Sequence, residues 1–136
     1  MLVRLTAGTF LVLHGVVHLF GFIVPWQLAQ PEGFSYHTTA LNGVVELGDA
    51  GARLLGLAWL ALMIGFVIAG IGLALGRTWA IALTAVVAAI SLLVCVVGLP
   101  EAVAGVWVNA AILVAVGIHA VMLRRQGAAT ARPGPS

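Results

Sequence analysis

Residues 54–76 read LLGLAWLALMIGFVIAGIGLALG, an uncharged run held between Arg53 and Arg77. Its 23 residues, coiled as an α-helix, reach about 35 Å at ~1.5 Å per residue. The hydrocarbon core of a bilayer is ~30 Å thick. A barrel strand would need only ~10 residues, and those would alternate. This run does neither, so it predicts a membrane-spanning helix.

The same reading extends outward. Arg77 and Glu101 enclose another 23 uncharged residues, and Glu101 and Arg124 enclose 22. No formal charge stands between Arg4 and Glu32, and the apolar part runs from Leu5 to Trp26. The predicted spans are 5–26, 54–76, 78–99 and 102–123, with a longer outer loop over 27–53. One transmembrane domain, 1–125, precedes an Ala/Gly/Pro-rich tail over 126–136 that is expected to be disordered. The first segment is expected to be a span, since its apolar run exceeds the ~7–15 residues of a leader's core. The fold class is all-α, an integral membrane antiparallel four-helix bundle.

Composition agrees. Of 136 residues 62% are hydrophobic and 7% charged, against about a quarter charged in a soluble domain. That excludes a soluble enzyme, a disulfide scaffold, a disordered chain and a nucleic-acid binder. The pI near 9.5 rests on a net charge of +2 and implies no polyanionic partner.

Positive charge sets orientation. Arg4, Arg77, Arg124, Arg125 and Arg132 fall on one side. Glu32, Glu46, Asp49 and Glu101 fall on the other, with Arg53. Both termini are therefore expected in the cytoplasm of a cell whose plasma (inner) membrane holds the protein. Trp26 and Trp79 fit interfacial anchors.

Small residues recur at helical spacing in each span. The second span carries Leu54, Ala58, Ala61, Gly65, Ala69, Gly72 and Gly76, and the third Ala80, Thr84, Ala88, Ser91, Cys95 and Gly98. The first gives Ala7, Leu11, His14, His18, Gly21 and Pro25, and the fourth a weaker stripe of Ala102, Gly105, Asn109, Val116 and Ala120. Small side chains let backbones approach where lipid supplies no hydrophobic drive. Ala61, Gly65, Ala69, Gly72 and Gly76 are the expected packing line, and Cys95 reads as a small filler.

Ionisable groups inside a span are costly and point to function. His14 and His18 share one face of the first span. By depth, His18 falls level with Asn109 and Ser91, and His119 near Thr84. The expected arrangement has one polar layer of His18, Asn109 and Ser91 and a second of His119 and Thr84, with His14 nearer the midplane; His14, His18, Asn109 and Ser91 together are the candidate polar or metal site. Two imidazoles four residues apart suit one metal, but no intramembrane carboxylate or cysteine pair completes a site. Axial haem ligands come from opposite sides, so His14 and His18 cannot share one haem, and His119 differs in depth. Metal and haem are disfavoured, and the cofactor is left open. In the loop, Asp49 and Arg53 are spaced for an i,i+4 pair. His37, Glu46 and Asp49 are expected either to cap the interface or to fold over the first span and line a pocket with His18. The loop from about Thr39 is expected to admit helix.

The first span reads Arg4-x3-Gly8-x-Phe10-x3-His14-Gly15-x2-His18-x2-Gly21-Phe22. It resembles the DoxX-like small four-span bacterial membrane proteins, and equally four-span proteins opening with an HG-x-x-H-x-x-GF helix. Phe10 falls one position early for the DoxX-like pattern, and His18 stands where that family often has lysine. The resemblance implies a four-span fold. It implies no catalytic residue, although some members are subunits linked to quinone oxidoreductases.

Three functions fit these residues. The first is a non-catalytic accessory protein or complex subunit, since the chain offers no nucleophile–base pair, phosphate loop or intramembrane carboxylate. The second is a redox- or metal-linked protein using His14 and His18. The third is a small proton-coupled transporter. The expected partners are the bilayer and a membrane protein or a second copy, with no nucleic acid.

Overall fold

The structure, a computed structural model, describes residues 1–130. Helix α1 (Leu2–Val17) and the short α2 (Leu19–Ile23) are consecutive, followed by a loop carrying β1 (Thr39–Ala40) and β2 (Val45–Glu46). Helices α3 (Gly48–Ala74), α4 (Trp79–Val97) and α5 (Val103–Thr130) complete the chain. The protein is all-α apart from one two-residue ladder. Four segments are long and apolar enough to cross a membrane: Leu2–Ile23, Gly48–Ala74, Trp79–Val97 and Val103–Gln126. Their outward faces are apolar as well, with Leu13, Leu54, Leu93 and Val114 each more than half exposed. Helices apolar on every side belong in lipid or in the middle of a much larger protein.

The helices pack in chain order: α1 on α3, α3 on α4, α4 on α5. The α1–α3 contact is the closest. A Cβ added to Gly8 would lie 2.6 Å from the carbonyl oxygen of Gly70, and one on Gly70 would lie 2.6 Å from that of Gly8. Gly15 sits as tightly on Phe66 and the Met63 carbonyl. Only glycine allows such backbone contact. The core between the helices holds Leu11, Leu62, Phe66, Val87, Ala88 and Ile112.

These contacts correct two expected stripes. On α1 the buried line is Gly8, Leu11 and Gly15, one position round from Ala7 and His14. On α3 the line through Ala61, Gly65, Ala69, Gly72 and Gly76 packs on α4 in its middle, Gly65 against Val87 and Gly72 against Trp79 and Ala80, but not at its two ends. Ala69 and Gly72 are buried, and Ala61 is exposed. The reason is that α3 lies between α1 and α4 and buries two faces, and the face toward α1 runs through Gly70, outside this line. Gly76 has another task. At φ +71 it is the left-handed residue closing α3, with Gly76 N–H donating to Leu73 O and Arg77 N–H to Gly72 O. That pair of bonds is a Schellman motif. The stripe on α4 differs: Ala80, Thr84, Ala88, Ser91 and Cys95 are all buried.

The loop and the tail also differ from expectation. Residues 39–46 form a hairpin rather than helix, pairing Thr39 with Glu46 and Ala40 with Val45. Leu41, Asn42 and Gly43 turn it with positive φ. Its tip is tied to the α4–α5 turn, with Leu41 N–H donating to Val97 O and Asn42 N–H to Leu99 O, each 2.9 Å. At the other end, α5 continues through Thr130, so residues 126–130 of the expected disordered tail are helical. Residues 131–136 lie outside the described residues.

Candidate polar site

The first segment breaks as a helix at His18. Its N–H donates to Gly15 O, three residues back, at 2.9 Å. Its ring takes the place of the missing i−4 bond, with Nδ1 2.9 Å from the carbonyl of His14. A carbonyl can only accept, so Nδ1 carries the proton. In a neutral ring Nε2 is then an acceptor, and it lies 2.8 Å from the Ser91 hydroxyl on α4. Ser91 therefore donates to His18.

The remaining members follow in turn. Asn109 on α5 donates through Nδ2 to Ser91 Oγ at 2.9 Å and to its own helix at Gly105 O at 2.8 Å. The Gly105 carbonyl fixes the amide's orientation, because the opposite one would face two acceptors. The Asn109 oxygen accepts from His14 Nε2 at 3.4 Å. The circuit closes: His14 to Asn109, Asn109 to Ser91, Ser91 to His18, and His18 back to the His14 carbonyl. It joins α1, α4 and α5. His18, Ser91 and Asn109 are buried, Ser91 and Asn109 completely. Among the described residues no buried side-chain nitrogen or oxygen lacks a hydrogen bond.

Aromatic and sulfur groups enclose the circuit. Phe66 lies with its ring centroid 4.8 Å from that of His14 and 5.2 Å from that of His18. Trp59 stands 5.2 Å from His18 on another side. Cys95 Sγ lies 3.5 Å from Asn109 Nδ2 and sits against Gly105. Gly105 admits both the sulfur and the Asn109 amide. Phe66 and Trp59 carry no sequence signal for this role beyond lying near the histidines in depth, whereas Gly105 shares the small-residue line of the fourth span with Asn109.

The second expected layer does not form as a hydrogen-bonded pair. Thr84 is buried and donates to Ala80 O on its own helix at 2.8 Å. His119 is exposed on α5. Both line a cavity of about 700 Å³ that opens between α1 and α5. Among the described residues these two helices share no extensive packing. Depth in a helix follows from counting residues, but direction around its axis depends on the neighbours.

The expected pocket of His37, Glu46 and Asp49 over His18 is not formed either. His37 lies 3.6 Å from Glu101 in the α4–α5 turn. Glu46 accepts from its neighbour Gly48 N–H, and Asp49 accepts from the Tyr36 hydroxyl at 2.5 Å. Asp49 is thus engaged with Tyr36 rather than Arg53. The hairpin's attachment to Val97 and Leu99 carries His37 toward Glu101 and away from His18. The Asp49 carboxylate, by accepting the phenolic proton, holds Tyr36 above its ordinary range.

For metal, both ring nitrogens of His18 already have protein partners. Among the described residues no three His, Cys, Asp or Glu side chains gather where they could hold an ion. The arrangement can clamp helices and match every proton donor to an acceptor. No family model, no curated protein and no solved structure matches the chain.

Proposed function

We propose that this chain is a four-span integral protein of a plasma (inner) membrane, an antiparallel helix bundle with both termini cytoplasmic. Within it the protein serves as a non-catalytic accessory or complex subunit. The carrying observation is the closed circuit of His14, Asn109, Ser91 and His18. Three of the four imidazole nitrogens are engaged within the circuit, which suits a lock between helices better than a reaction centre. The charge distribution supports the orientation, since the arginine-rich ends favour the cytoplasmic side. The likeness of α1 to DoxX-like proteins, some of them complex subunits, is in keeping with the same reading.

The test is gentle isolation from the native membrane, with mass identification of whatever copurifies and an absorption spectrum. A stoichiometric membrane-protein partner and a colourless sample are expected. The H14A/H18A double variant should melt earlier and recover less partner. A bound metal or chromophore that this variant loses would overturn the reading in favour of the redox- or metal-linked alternative.

A further inference from the structure

The cavity between α1 and α5 has a graded lining. Its inner end is Leu11 on α1, about one turn from the polar circuit, and Val108 and Ile112 on α5, the first beside Asn109 in the chain. Its walls there are aliphatic. Its outer end carries Arg4 at the start of α1, with Arg77 and Thr78 in the α3–α4 turn. Both arginines are exposed. Among the described residues lining the cavity there is no carboxylate.

Two further observations mark that end as one built to meet negative charge. The Arg4 guanidinium lies over Gly76, against the closing turn of α3, where carbonyl dipoles favour a cation. A guanidinium has five N–H donors and keeps some for a second acceptor. Beside it α4 begins at Thr78, whose side chain makes no capping bond. The helix start thus adds N–H groups suited to a phosphate.

Size and direction also agree. About 700 Å³ lies within the ~300–1,000 Å³ typical of sites for small ligands. Leu11 lies seven positions along α1 from Arg4, so the apolar part runs about 10 Å inward from the arginines. A ligand matching this slot has an anionic head and an apolar chain of at least that length.

We propose that this cavity binds one anionic phospholipid, its phosphate held by Arg4 and Arg77 and one acyl chain lying between α1 and α5. The proposal rests on the membrane placement given above. The charge gradient favours a lipid over a second copy or a partner's helix, since an apolar helix would leave both guanidinium groups facing it without a counter-charge.

The test uses the full chain reconstituted with equal phosphatidylglycerol and phosphatidylcholine, then transferred to mild detergent for native mass spectrometry. One retained phosphatidylglycerol per chain is expected, preferred over phosphatidylcholine on the order of tenfold. R77Q and R4Q should each reduce that preference, and the double variant should abolish it. A115F, which fills the cavity from α5, should lose both lipids while its thermal melt and helix content stay near those of the parent. Equal retention of the two lipids overturns the proposal, as does undiminished phosphatidylglycerol binding in A115F. Displacement of the lipid by glycerol phosphate alone would show that only a head-group anion is held, and also overturns it. A parent dimer that A115F converts to monomer would assign the cavity to a second copy instead. Flotation of the chain with vesicles is scored separately, so failure of the membrane placement is distinguishable from failure of the lipid site.

Discussion

At the scale of residues, His14 and His18 are alike in the sequence and opposite in the structure. His18 carries its proton on Nδ1, facing a carbonyl, and His14 on Nε2, facing the Asn109 oxygen. Nitrogen chemical shifts of the labelled protein should therefore show two neutral imidazoles in different tautomers. Two identical tautomers would break the circuit as described. Ser91→Ala removes the hydroxyl between His18 and Asn109 and leaves buried groups unmatched. The expected loss is about 1–3 kcal/mol by the cost of an unsatisfied group, toward the lower end within apolar helices. Glycine gives the complementary case. Gly70→Leu drives a side chain into the Gly8 backbone, which cannot rotate away. Gly65→Leu meets only the Val87 side chain. In a thermal melt Gly70→Leu should cost well over the ~1–3 kcal/mol typical of overpacking, and Gly65→Leu should fall within or below it. The reverse order would move the closest helix contact elsewhere.

At the scale of elements, the sequence reveals helices far better than their faces. The apolar runs are bounded by charge, so the existence of the spans and both ends of α4 are legible, whereas α3 starts earlier, at Gly48, and α5 runs on to Thr130, each past the charges expected to bound it. The face of α1 is less so. A stripe chosen for polar and small residues runs through His14, whereas close packing selects the glycines one step round. The polar circuit was readable in part, because depth places His18, Ser91 and Asn109 at one level. The bond from His14 to Asn109 and the ring bond at the break in α1 were not, because both depend on rotation about the helix axis. The hairpin had a signal in Asn42-Gly43, a strong short-range turn pair. The strands beside it are two residues each, too short to show alternation. Beside this hairpin, Tyr36 offers a direct test. Its phenol, held above the usual ~10 by Asp49, should titrate at higher pH than free tyrosine by ultraviolet absorption. Asp49→Asn should bring the midpoint down. The contact therefore favours the folded loop below the ordinary tyrosine range and is lost as pH rises through the raised value.

At the scale of the whole molecule, orientation and openness are the tests. In a background where Cys95 is replaced by alanine, E101C should react with a membrane-impermeant reagent added outside intact cells, and T78C only after lysis. The opposite pattern would invert the topology. The open seam between α1 and α5 is where the helices differ most from a closed bundle. The His14–Asn109 bond joins those two helices.

That bond spans 95 positions in the chain. At ~5–20 residues per second of synthesis, its second half is made about 5–20 s after its first. His18 waits until Ser91 is made and His14 until Asn109 is. The circuit is thus a record of completion. A chain that stops before α5 leaves His14 and Ser91 without the amide of Asn109 that matches them in the finished fold.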